Sequence, residues 1–151
     1  MKRIHRLLKH KYQQYAANRN SSLRLEPLES RLLLSVADHL RVTEIMYKPA
    51  DPTPAEIDSG YVDNDLFEYI ELTNTGATVL DLTGVTFAEV GGEGIIFDFS
   101  GSNVTSLASG EYVLVVRNQA AFTARYGAGL AGQIAGEYTG QIAGDLDNGG
   151  E

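Results

Sequence analysis

The side chains that could carry acid–base or nucleophilic chemistry are few and poorly spaced. His5, His10 and His39 are the only histidines, and cysteine is absent. Serine-type catalysis needs an imidazole oriented between a hydroxyl and a carboxylate. His39 stands just ahead of the first extended run with no partner pattern around it, and no His-Glu-x-x-His, Gly-x-Ser-x-Gly or phosphate-loop spacing occurs. The lack of cysteine excludes disulfides, thiolate metal sites and a cysteine nucleophile. No catalytic residue is expected.

The carboxylates are more numerous. Asp63, Asn64, Asp65 and Glu68 could present hard oxygens to a calcium ion, but an acidic loop in water explains the same residues. Asp145-Leu146-Asp147-Asn148-Gly149-Gly150 starts like an EF-hand loop, yet its fifth position is Gly149 and the sequence stops before a twelfth-position glutamate. Neither metal nor cofactor is expected. Glu68 and Glu71 suggest the carboxylate pair of glycoside hydrolysis. On a strand, however, positions three apart point to opposite faces, so the two cannot converge on one bond. Cross-strand pairing and solubility are the expected roles.

Charge is divided along the chain. The overall net charge is −8, but residues 1–31 carry eight Lys and Arg against two acids, whereas the remainder carries four against 18. All 16 glycines lie at or after Gly60. This is the pattern of a basic tail (1–37) on an acidic domain (38–151). In the tail, Ile4, Leu7, Leu8, Tyr12 and Tyr15 form one helical stripe, with Lys2, Arg3, Arg6, Lys9 and Lys11 opposite. Such a short helix could rest on an anionic membrane or touch nucleic-acid phosphates. The domain's own charge opposes nucleic-acid binding. No run of about 18 apolar residues is present, so no spanning helix is expected.

The elements after the tail are extended. Residues 40–47 are rich in Val, Ile and Tyr, and Pro49, Pro52 and Pro54 forbid a strand until the acidic loop 48–65 has passed. Residues 67–74 alternate, with Ile70 and Leu72 on one face and Glu71 and Thr73 on the other. Further strands are predicted at 79–82, 85–90, 95–99 and 111–116. Asn118 can cap a short helix carrying Phe122 and Tyr126, which Gly127 can end. The glycine-rich stretch beyond, with Gly132-Gln133-Ile134-Ala135-Gly136 echoed at 140–144, reads as a loop with one short strand. Short strands joined by Gly, Asn and Pro turns predict an antiparallel β-sandwich with Ile70, Leu72, Leu82, Phe87, Phe97 and Leu114 buried.

Two stretches resemble known families. Leu28, Glu29, Arg31, Leu33 and Leu34, with Ser30 where the family has proline, resemble the LEPR-xLL targeting motif of large exported bacterial proteins. The stretch does not read as a standard signal peptide, because its apolar core from Leu32 to Ala37 is short and its basic region long. The order Thr43-Glu44-Ile45-Met46-Tyr47, Glu68-Tyr69-Ile70-Glu71-Leu72-Thr73-Asn74, Leu80-Asp81-Leu82-Thr83-Gly84 and Asn148-Gly149-Gly150-Glu151 resembles a bacterial lamin-tail domain. That resemblance implies an all-β, immunoglobulin-like sandwich without catalytic residues, here ending before its last strands. It also implies a non-catalytic binding or architectural module of an exported or cell-surface bacterial protein. The expected partner is a protein or cell-envelope component, with self-association through an open sheet edge as another route. A bacterial source would leave the acceptor patterns at Asn20-Ser21-Ser22 and Asn103-Val104-Thr105 unused. Two alternatives stand beside this reading. One is an N-terminal fragment of a larger secreted, hydrolytic protein; the other is nucleic-acid association through the tail.

Overall fold

The structure, a computed structural model, describes residues 36–90, 94–140 and 146. Most of the basic tail, the five residues of the LEPR-xLL-like motif, and residues 147–151 with the expected missing strands beyond them lie outside the described residues.

After the helical residues 36–39, eight strands and two α-helices follow one another among the described residues. They are β1 (Leu40–Met46), α1 (Pro54–Asp58), β2 (Tyr69–Asn74), β3 (Leu80–Asp81), β4 (Thr86–Phe87), β5 (Phe97–Asp98), β6 (Ser106–Leu107), β7 (Tyr112–Val116), α2 (Gln119–Tyr126) and β8 (Ile134–Glu137). The main sheet has the order β1-β2-β7-β8, and two short ladders, β3-β6 and β4-β5, form the second layer. Pairing is antiparallel as expected, except that β8 runs parallel to β7, brought there by the crossover through α2.

Alternation along β2 and β7 gives the sheet two apolar faces. Ile70, Leu72, Val113 and Val115 face inward, onto Leu80, Leu82, Leu107, Phe97 and Phe99 of the second layer. Tyr69, Leu114 and Val116 face outward and are covered by Phe122 of α2 together with Ile134. Asn118 caps α2, its Oδ1 accepting the Ala121 N–H at 2.9 Å, and Gly127 ends the helix at φ 98°. Five of the six residues expected in the core are buried. Phe87 is the exception, half-buried at the margin of the second layer. Its strand is shorter than residues 85–90 because its partner ends early: the Asp98 carboxylate accepts the Ser100 N–H at 2.8 Å and starts a 3-10 turn.

The loop expected over 48–65 contains a helix. Thr53 Oγ1 accepts the Glu56 N–H, and the Glu56 carboxylate accepts the Thr53 N–H at 2.7 Å, a capping box. Pro54 occupies the first helical position, where no N–H is needed. The prolines that exclude a strand here begin a helix.

Candidate interaction surface

The acidic residues singled out in the sequence do not form a metal site. Asp63 Oδ1 accepts the Asp65 N–H at 3.1 Å and opens a 3-10 turn over Asn64–Phe67. Asn64 Nδ2 donates to the Pro49 carbonyl at 3.2 Å. Glu68 does not join them, nor does it serve solubility. The turn points its side chain into the interior, where it is fully buried. Its Oε2 accepts the Tyr138 hydroxyl at 2.6 Å and the Leu146 N–H at 2.8 Å. Glu71 instead lies on the outer face and accepts the Thr43 hydroxyl at 2.6 Å, so the two glutamates do not converge. Among the described residues, no group of three His, Asp or Glu side chains could hold an ion.

His39 is exposed and is held through its backbone. Its carbonyl accepts the Thr75 N–H and hydroxyl at 2.9 and 2.8 Å. Its ring lies against Gly76, where an added Cβ would come within 2.8 Å of it. Of the EF-hand-like stretch, Leu146 is described, and it packs on the core. A cavity of about 300 Å³ opens between Val104, Leu107, Glu111, Tyr112 and Gln133, away from His39 and the acidic turn.

A cationic clamp has no counterpart in the sequence reading. Arg125 of α2 grips Glu56 of α1 with Nε–Oε1 and N–O distances of 2.8 and 2.9 Å, donates to the Ala50 carbonyl at 2.8 Å, and lies 3.3 Å above the Phe67 ring. These Arg125 hydrogen bonds, followed by that of the Thr53 N–H, pull the Glu56 carboxyl down to about 2. The capping box at Thr53 and Glu56 was the available signal for α1. Nothing local indicates that Arg125, far along the chain, completes it.

The two edges of the main sheet differ, and the difference singles out a surface. At β8, Ala135 accepts the Asn103 N–H at 3.0 Å, and Thr139 exchanges hydrogen bonds with Ile96 at 2.6 and 3.0 Å, tying that edge to the second layer. At β1, no described strand pairs with the outer edge. The second layer also stops short of β1. Val42 and Ile45 lie on the inner face, opposite Leu72 and Ile70, yet remain 47% and 51% exposed, with Tyr47 beyond them at 52%.

The outer face of β1 is charged. A bulge at Thr43 places Glu44 directly opposite Glu71, an arrangement of like charges that costs stability unless a cation or donor intervenes. Each carboxylate has a hydroxyl donor, Tyr69 at 2.5 Å for Glu44 and Thr43 for Glu71. Burial, reinforced by its bond to Glu44, holds the Tyr69 phenol well above its usual range. Arg41 stands on the same face, its guanidinium resting on the Ala37, Asp38 and Leu40 carbonyls. This surface offers unpaired backbone groups beside an apolar stripe, and it contains no nucleophile–base pair.

Neither curated proteins nor solved structures give a match to this chain. The model of the lamin tail domain family matches residues 35–151, most of the chain and every described element, so the protein belongs to that family.

Proposed function

We propose that this protein is an exported, surface-associated member of the family that makes architectural protein contacts through the outer edge of β1. Lamin tail domains are immunoglobulin-like, non-catalytic binding or architectural modules, and the all-β sandwich agrees with that. The observation that carries the site is the asymmetry of the edges: β8 is tied to the second layer, whereas β1 exposes half of Val42 and Ile45. Exposed edge strands recruit other chains by strand addition unless something blocks them. The Leu28, Glu29, Arg31, Leu33 and Leu34 motif supports export as its role. The domain, from about residue 38, works without cofactor or metal.

A photoreactive amino acid at position 45, with position 137 on the opposite edge as control, tests the site in intact cells. Both positions are exposed. The expected result is a discrete protein adduct from position 45 and none from 137. Equal labelling from the two would remove β1 as the contact surface. Accessibility of the same adduct to protease added outside the cell checks the surface location.

A further inference from the structure

We infer that the partner at the β1 edge is a second copy of this chain, joined antiparallel about a two-fold axis through Val42; this rests on the β1 reading above. The argument begins with the bulge. Because Thr43 is the extra residue, Val42 and Ile45 both face inward and sit opposite Leu72 and Ile70, which are two apart. Inward positions of β1 are thus Leu40, Val42 and Ile45, and outward ones are Arg41, Thr43 with Glu44, and Met46.

Two such strands can run antiparallel with the side chains of residues 40–45 matched on the same face, Met46 falling beyond the paired stretch. Leu40 then lies opposite Ile45 of the second copy, Val42 opposite Val42, and Arg41 opposite Glu44, with each pair other than the axial one formed twice. The inward row is wholly apolar and the outward row pairs opposite charges, as cross-strand neighbours prefer. The added Arg41 approaches Glu44 from the side away from Glu71, so the Glu44–Glu71 pair gains a cation that it has from no described residue within one chain. Without the bulge, the same sequence would place Glu44 inward and destroy the match. A two-fold interface requires a self-complementary patch, and this edge is one. The joined sheets would form one eight-stranded sheet with Val42 and Ile45 flanked by apolar neighbours from the second copy.

Two copies of an acidic domain repel at long range, a repulsion screened beyond roughly 10 Å at 0.1 M salt. The contact is also small for a stable dimer. Association is therefore expected to be weak, and sedimentation equilibrium over a wide concentration range at physiological ionic strength is the suitable measurement. The full chain should move from 16.4 kDa towards twice that mass as concentration rises. Arg41→Glu should lower dimer affinity more than about tenfold by placing carboxylates opposite one another. Glu44→Arg should do the same with cations. An equimolar mixture of the two should associate again, because every outward pair is then opposite in charge. Val42→Lys, which sets two ammonium groups on the axis, should abolish association and does not rely on losing the Tyr69–Glu44 hydrogen bond. Circular dichroism confirms that each variant is folded. A chain that stays monomeric throughout overturns the inference, as does association indifferent to Arg41→Glu and Val42→Lys, or a mixture of the charge variants that does not recover. A monomeric chain whose position-45 adduct contains a foreign protein would overturn the dimer while leaving β1 as the contact surface.

Discussion

Removing one oxygen from Tyr138 tests how the interior holds its buried carboxylate. In Tyr138→Phe the ring keeps its place in the core, since Tyr138 is 1% exposed and packs with the inward cluster. What disappears is the hydroxyl that donates to Glu68 Oε2 at 2.6 Å, within a site where Glu68 is itself fully buried. Removing the donor to a buried acceptor costs about 1–3 kcal/mol, because the acceptor keeps its desolvation cost. The Leu146 N–H remains at 2.8 Å, so the loss should fall in the middle of that range. About 2 kcal/mol is expected, with little added for a cavity the size of one oxygen. For a folded unit near 100 residues this lowers the melting temperature by roughly 8–16 °C. Calorimetric or circular-dichroism melts of the wild type and the variant make the comparison, with Tyr112→Phe, on a half-buried residue of β7, as a control. A shift under about 2 °C would mean that the hydroxyl does not stabilise Glu68, and the account of that residue would fail.

Three further outcomes follow from the packing. Arg125→Ala should flatten the acid limb of stability: the Glu56 carboxyl is held near 2 against an ordinary 4.5, so its contribution is complete above about pH 4.5 and is lost as pH falls towards 2, which urea midpoints measured across that range will show. Phe122→Ala should cost about 3–5 kcal/mol by chemical denaturation, because the ring is 1% exposed and stacks edge-on against Tyr69 beneath α2. Gly140→Ala should loosen the closed edge, since φ there is 120° and a Cβ would meet the Gly94 carbonyl oxygen at 2.8 Å; faster amide hydrogen exchange at Ile96 and Thr139 is the readout.

The all-β class and most strand positions were legible in the residues. So were the α2 cap at Asn118 and the burial of Ile70, Leu72, Leu82, Phe97 and Leu114. These rest on short-range causes: alternation along a pleated chain, turn chemistry, and side chains that satisfy backbone groups three residues away. The same kind of signal marked α1, where Thr53 and Glu56 form a capping box that was outweighed by reading the prolines only as strand breakers. Glu68 shows where local reasoning ends. Its neighbours suggest an exposed acid, but its environment is set by Tyr138, 70 residues away, and by Leu146. The Arg125–Glu56 clamp spans 69 residues in the same way. Which edge of the sheet lacks a neighbouring strand among the described residues is also a tertiary fact. It depends on where the second layer stops and on Asn103 reaching Ala135, and periodicity along a single strand contains no information about what lies beside it.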